Sequence, residues 1–418
     1  MKHLLIVGKS YSGLVHKINE LGHDYTVLQD VLKTKYPERV MKHRVVADFS
    51  STAQLFLTVD ALHARKKIDG VITIYEDYVL ATALVAEHLN LPHLPVEAAQ
   101  AATDKYTMRT LFQNAKEYIS PEFSRVESED DLRLFAKTHA FPLILKPANL
   151  AKSLLVTKND SLEELVRNYR KAQSLLETTY KKYAPNRTPS MIIEEYLDGT
   201  IHSVEAFVDS NGKPLILDEI VDYATGHDIG YDDNFHYSRI LPSALSEEEQ
   251  SALRKCAQLG VEALGMKNSA AHIEIIMTKN GPRIVEIGAR NGGYRERMHA
   301  LANEIDLLQG SIALSLGEPV HITSKRKDSV AVLELFPKEP GIFIGIQNAE
   351  AAEKRPSVHY FSVKAKEGQY VGKSGEGYKM CAVIILHHSD PSLFSQDLEF
   401  INEHVYVRTN ASGASAPV

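Results

Sequence analysis

This sequence predicts an α/β fold in which an open parallel sheet leads and a small mainly-β segment closes the chain. Three observations carry the prediction. The opening residues alternate short apolar runs with amphipathic ones, the pattern of βαβ units. From about Ser324 onward, apolar runs follow one another with little but turns between them: SVAVLELF, GIFIGI, HYFSVKA and KMCAVIILHH. Between these two regions lies His272–Gly293, HIEIIMTKNGPRIVEIGARNGG, which reads as two short strands about a turn. Each strand carries an acid among apolar residues, Glu274 in the first and Glu286 in the second. A carboxylate there is costly unless something neutralises it. Two of them on one hairpin suggest a divalent cation, and a cation held by few carboxylates suggests phosphate chemistry.

Composition narrows the function classes. A chain of 418 residues is long enough for two to four domains. Its net charge of −7 argues against a general nucleic-acid binder while leaving bound nucleotide open. The only cysteines, Cys256 and Cys381, are far apart and lack metal spacing, so a reduced, cytoplasmic setting is expected. The start, MKHLLIVGKS, reads as a first strand and not a signal peptide. No apolar run approaches the ~20 residues of a membrane helix, so no membrane partner is expected.

Taken in order, HLLIVG is a buried strand and GKSYSG the tight turn into a helix over Val15–Leu21. GKSYSG falls short of a full dinucleotide fingerprint. YTVLQ is the second strand. DGVITIYED is another, placing Glu76 and Asp77 at a strand's carboxyl end, where ligands of such sheets bind. A helix from about Val79 to Leu89 follows, and Pro92 and Pro95 mark a linker. In TDKYTMRTLFQ, Thr103 or Asp104 caps a helix with Lys105 in its first turn. The helix dipole disfavours a lysine there, which invites an anionic partner.

FPLILKP is a strand ending on Lys146, with Leu145 and Lys146 on opposite faces. ANLAKSLLVT resembles a phosphate-covering turn with Lys152 and Ser153 at its tip. Asp160–Leu175 is helical, and Ser161 and Glu164 fit a capping box. Strands MIIEEYLDG, HSVEAFV and LILDEIV come next. The polar, aromatic stretch Asp222–Pro242 has no clear period and reads as a long, substrate-facing loop, with His227, His236 and Arg239 as candidate contacts. Helices are expected over Leu245–Leu264, capped by Ser246, and over Met298–Leu316. A last helix, about Pro391–His404, precedes the strand VYVRT.

The hairpin register is itself predictable. A loop with an odd number of residues centred on Asn280, with Gly281 left-handed, sets Glu274 opposite Glu286. It also places Ile273, Ile275 and Met277 on one face with Val285 and Ile287.

The succession DKYTMR, FPLILKP, IIEEYLDG, HIEI and VEIGARNGG resembles the ATP-grasp superfamily over most of the chain. The C-terminal blocks GIFIGIQNAE, VKAKEGQYVG and AVIILHHSD look like those of the dipeptide-forming L-amino-acid ligases. The resemblance implies a Rossmann-like domain over 1–95 and an ATP-grasp domain over 96–322, its lid at about 120–190 and its large subdomain at about 191–322. A C-terminal domain over 323–410 and a disordered tail over 411–418 complete the expected division.

It also implies roles. Lys105 and Lys146 would contact ATP phosphates, with Lys146 near the adenine. Glu194 would accept from the adenine amino group, and Glu195, Tyr196 and Leu197 would form the hinge at the ring edge. Glu274 and Glu286 would bind Mg²⁺ or Mn²⁺, and Arg290 would bind phosphate or an acyl phosphate. There are departures. The covering turn contains no glycine, so Lys152 is expected to do part of its work. His202 resembles a ribose-contacting histidine of the biotin carboxylase branch. Gly288 stands where many members have asparagine, which removes one metal ligand. The expected activity is a carboxylate–amine ligase acting on small molecules through an acyl phosphate, with a homodimer as the expected assembly. The rivals are a purine-biosynthesis or carboxylase-type enzyme and a non-catalytic ATP-binding protein.

Overall fold

The computed structural model describes residues 1–31, 42–150, 154–184 and 187–410. The chain opens with β1 (His3–Val7), α1 (Ser12–Glu20), β2 (Asp24–Asp30), β3 (Arg44–Ala47), α2 (Thr52–Arg65), β4 (Gly70–Ile72) and α3 (Val79–His88). These strands form a parallel sheet in the order β3-β2-β1-β4. DGVITIYED is a strand only to Ile72, and Glu76–Tyr78 is a 3₁₀ turn leading into α3. The turn still leaves Glu76 beyond the carboxyl end of β4.

Next come α4 (Val96–Thr103), α5 (Lys105–Phe112), β5 (Phe123–Val126), α6 (Glu129–Thr138), β6 (Leu143–Pro147), β7 (Thr157–Asn159), α7 (Leu162–Tyr183) and β8 (Met191–Glu195). Asp104 is the cap of α5, accepting from the Thr107 amide at 2.9 Å. Strands β5-β8-β6-β7 make a four-stranded antiparallel sheet covered by α6 and α7. Helix α7 runs two turns beyond the expected end at Leu175. Ser161 caps it, but Glu164 reaches back to the Asp160 amide rather than closing the box on Ser161.

The remaining elements are β9 (Gly199–Val208), β10 (Pro214–Thr225), β11 (His236–Leu241), α8 (Glu247–Ala263), β12 (Ser269–Thr278), β13 (Gly281–Gly288), α9 (Arg295–Asn303), α10 (Leu307–Ser315), β14 (Ser329–Leu335), β15 (Gly341–Ile346), α11 (Ala349–Glu353), β16 (Val358–Val363), β17 (Tyr370–Val371), β18 (Ala382–His388), α12 (Pro391–His404) and β19 (Val407–Asn410). One eight-stranded sheet, β13-β12-β9-β10-β11-β14-β18-β16, crosses the boundary expected at 322/323. A small β17-β15-β19 sheet stands apart.

Three local expectations are corrected. Asp222–Pro242 is not a long loop: β10 and β11 pair across it, leaving a short tip around His227–Ile229. The period of two was hidden because residues on one face are polar, as Tyr223 paired with Arg239 shows. Met298–Leu316 is two helices. Glu304 adopts a left-handed φ of 57° and Asp306 caps α10 through the Gln309 amide. In the hairpin, Thr278 pairs with Gly281 across a two-residue turn, Lys279-Asn280. The register then shifts by one, with Val285 as the extra residue, so that Glu274 pairs with Glu286 as expected. The bulge, and not an odd loop, is what opposes the two acids. It also puts Ile284, not Val285, on the apolar face with Ile273, Ile275 and Ile287.

That face packs against α8, close enough that a Cβ at Gly260 would run into Ile284 and Ile287. Helix α10 packs elsewhere. Its Leu308 and Ile312 complete a core with Leu4, Ile6 and Ile72 of the N-terminal sheet. The segment expected within 96–322 thus contributes a helix to the N-terminal layer.

Candidate active site

Side chains alternate along a strand, so the acids of the hairpin face away from the α8 core. Glu274 and Glu286 oppose each other directly. Like charges so placed destabilise a pair of strands unless a cation intervenes. Lys105, first residue of α5, supplies one: its Nζ is 2.7 Å from Glu286 Oε2. Burial raises the Glu286 pKa, yet Lys105 and Arg290 together hold the group below the usual carboxylate range. Glu274 is half-buried, and its hydrogen bond with His272 and the nearby His236 outweigh desolvation and hold it well below that range. Both acids are therefore poised as carboxylates.

Lys146 on β6 and Glu194 on β8 share one face of the β5-β8-β6-β7 sheet and meet at 2.5 Å. Glu194 has a second partner, Arg109, whose Nε donates to Oε1 at 2.9 Å. Arg109 is fully buried, and its Nη2 donates to the Val285 carbonyl at 2.7 Å, on the bulge residue itself. The β5-β8-β6-β7 sheet, α5 and the acid hairpin are thereby joined through one guanidinium. Burial pushes Lys146 down to about 8 against the pull of Glu194. Burial raises Glu194, but Arg109 and Lys146 together leave it lowered. Both Glu194 oxygens hold cations, so it anchors Lys146 and Arg109 together.

Arg290 follows β13. Its Nε lies 2.9 Å from Glu76 Oε2, and its Nη1 donates to the Asn291 carbonyl at 2.9 Å. Gly288 makes room for this pair, since a Cβ there would come within 2.9 Å of the same Glu76 oxygen. Burial raises the Glu76 pKa, opposed by Arg290. Behind Arg290 lies a cavity bounded by β4, α3 and α10, lined among others by Thr73, Thr82, Ser269 and Ser311.

On the face that carries Glu274, the polar residues extend across the sheet. Glu205 on β9 pairs with His272, whose Nε2 lies 3.2 Å from Glu274 Oε1. Arg295 on α9 donates to Ser203 at 3.2 Å and to the Tyr223 hydroxyl. His236 packs edge-on against Tyr223 at 4.7 Å. Arg239 pairs with Glu334 at 3.1 Å, and Tyr294 donates to the same carboxylate at 2.9 Å.

The structure therefore brings together Lys105, Glu286, Glu274, Arg290 and Glu76, and joins Lys146 and Glu194 to them through Arg109. It places His236 and Arg239 in the adjoining cluster. Other candidates fall elsewhere. His202 lies on the opposite face of β9 from Ser203 and Glu274, with Asp222 at 2.8 Å on one ring nitrogen and Thr200 at 2.6 Å on the other. It is packed in the sheet and turned away from Glu274. His227 sits at the exposed hairpin tip, bonded to the Tyr231 carbonyl. Glu195 accepts from Tyr118 and the Glu122 amide at 3.0 Å, while Tyr196 is exposed under Lys158. Leu197 lies just before β9. Lys152, Ser153 and the tail over 411–418 lie outside the described residues. Sequence reasoning missed Arg109, Glu205 and Arg295. Arg109 is one helical turn beyond Lys105, and Glu205 is an acid inside an apolar strand, the same signal that singled out Glu274.

Two carboxylates held ionised on one face fit a hard divalent cation. Among the described residues no group of three acids, histidines or cysteines is arranged to hold a metal ion. The remaining ligands of such an ion would be phosphate oxygens and water.

The family described as the ATP-grasp domain matches residues 139–298, and the ATP-grasp N-terminal domain matches 15–93. The chain belongs to the ATP-grasp superfamily. Alanine–anticapsin ligase of Bacillus subtilis (strain 168) is 30% identical over 235 residues, covering 54% of this chain and 49% of that protein. The chain thus spans about half the length of this curated relative. An L-amino acid ligase structure from Bacillus licheniformis superposes with a TM-score of 0.82 at 20% identity, over 98% of this chain and 99% of that one. The ADP complex of N5-carboxyaminoimidazole synthetase from Staphylococcus aureus gives 0.70 at 14% identity, over 96% and 97%. These structures share the ATP-grasp fold. No helix among the described residues is long and apolar enough to cross a membrane.

Proposed function

We propose that the chain is an ATP-dependent carboxylate–amine ligase that joins amino acids or similar small molecules. The observation that carries this reading is the opposed pair Glu274 and Glu286, ringed by Lys105 and Arg290. A substrate carboxylate oxygen attacks the γ-phosphorus of ATP, the bond to the β–γ bridging oxygen breaks, and ADP leaves. The nitrogen of an amine then attacks the acyl phosphate carbon. Phosphate departs, the nitrogen loses a proton, and an amide remains. Lys105 and Lys146 neutralise the transferring and leaving phosphates, and Arg290 holds the phosphoryl group on the acyl oxygen. Glu274 and Glu286 would hold Mg²⁺ or Mn²⁺, which supplies further charge neutralisation at the phosphates when bound. The similarity to alanine–anticapsin ligase supports amino acids over nucleotides as substrates.

The test is release of ADP and phosphate across amino acids, singly and in pairs, with mass spectrometry of the products. Pairs should yield a product with the combined mass less one water. Turnover with aminoimidazole ribonucleotides alone would replace the reading with the purine-type one. Absence of ADP release with every carboxylate would leave a nucleotide-binding protein.

A further inference from the structure

The carboxylate of Glu205 touches two separate parts of the site. One oxygen pairs with Nδ1 of His272, whose Nε2 lies 3.2 Å from Glu274 Oε1. The other accepts from the Gly292 amide at 3.0 Å, in the loop that carries Arg290. Glu205 is 1% exposed and Arg295 Nε stands 3.8 Å away, so its charge is compensated within the protein. The loop lies directly on the imidazole: a Cβ at Gly292 would overlap the His272 ring. Only glycine lets the loop backbone approach closely enough to bond Glu205.

We infer that Glu205 is a positioning residue that sets the metal ligand Glu274 and the Arg290 loop at the same time. The inference rests on the reading of Glu274 and Glu286 as metal ligands. A carboxylate behind a histidine fixes the ring's orientation, and His272 passes that constraint to Glu274 as a hydrogen-bond donor. The Gly292 bond fixes the loop against the same anchor. Removing the carboxylate would free both groups together, although Glu205 touches neither nucleotide nor metal. His272→Gln would release Glu274 while leaving the Gly292 bond, so the two arms can be separated.

The experiment is direct Mn²⁺ binding to the full chain with a non-hydrolysable ATP analogue, read from the resonance of free Mn²⁺, in wild type, Glu205→Gln, Glu205→Asp and His272→Gln. Glu205→Gln should weaken Mn²⁺ binding about tenfold or more. It should also raise KM for the carboxylate substrate, whereas His272→Gln should weaken Mn²⁺ binding with a smaller change in that KM. If Glu205→Gln does not fold, the same shifts are read from Glu205→Asp, which keeps the charge but draws it back. Wild-type Mn²⁺ affinity in a folded Glu205 variant would overturn the inference alone. Failure of the wild type to bind Mn²⁺ would overturn the metal reading and this inference with it.

Discussion

Glu76, beyond the end of β4, holds Arg290 of the loop after β13 at 2.9 Å, so the N-terminal layer reaches into the candidate site. An arginine gripped at Nε has its Nη groups set in direction. Glu76→Gln should keep the shape and lose the charge. The expected result is a fall of about tenfold in kcat/KM for the carboxylate, ~1.4 kcal/mol in transition-state terms, with KM for ATP little changed. Steady-state kinetics with each substrate varied in turn checks it. Equal losses for both substrates would speak against a role confined to Arg290.

Gly288→Ala tests the same pair from below. Its Cβ would lie 2.9 Å from Glu76 Oε2, a contact that one of the two must relieve by moving. Affinity for the carboxylate should drop while the melting temperature changes by only a few degrees. A crystal structure of the variant with Glu76 and Arg290 undisturbed would contradict this.

Arg109→Met removes a fully buried cation that serves Glu194 and the Val285 carbonyl. Breaking a buried pair by deleting one partner costs about 3–5 kcal/mol. Denaturant unfolding should show that loss, and calorimetry should show weaker ATP-analogue binding, because Lys146 loses part of its scaffold. Lys146→Ala should lose nucleotide binding more completely than Arg109→Met. The reverse order would reassign the phosphate contact.

Glu296 on α9 accepts from the Tyr11 hydroxyl at the start of α1. Burial and then Asp306 push its carboxyl up to about 7 from an ordinary 4.5. A raised acid favours the fold while protonated. Its contribution is fully present below about pH 4.5 and is lost as pH rises through 7. Melting temperatures of the wild type should therefore fall between pH 5 and pH 8 more steeply than those of Glu296→Gln. Parallel curves would show that this carboxyl does not titrate in that window.

Much of this was legible because local rules acted alone. Acids inside apolar strands marked Glu274 and Glu286, and constant-sum register opposed them. The opposition is achieved by a Val285 bulge and not by an odd loop, because a bulge leaves no mark in a hydrophobic pattern. Asp222–Pro242 looked structureless for a related reason: a strand face that carries Tyr223 and Arg239 has no apolar period to read. Strand alternation puts His202 on the face opposite Ser203 and Glu274, which a motif match does not register. The partners of Arg109 and Glu205 join residues far apart in the chain, and no local rule pairs those.

The seat of α10 on the N-terminal sheet has a consequence for biosynthesis. Leu4, Ile6 and Ile72 leave the ribosome long before Leu308 and Ile312, which finish their core. At about 5–20 residues per second the interval is on the order of tens of seconds. During it these strands carry an incompletely covered apolar surface, which holdase chaperones recognise. The N-terminal layer is thus made well before the helix that completes it. A fragment ending at residue 95 would inherit that bare surface permanently and should aggregate.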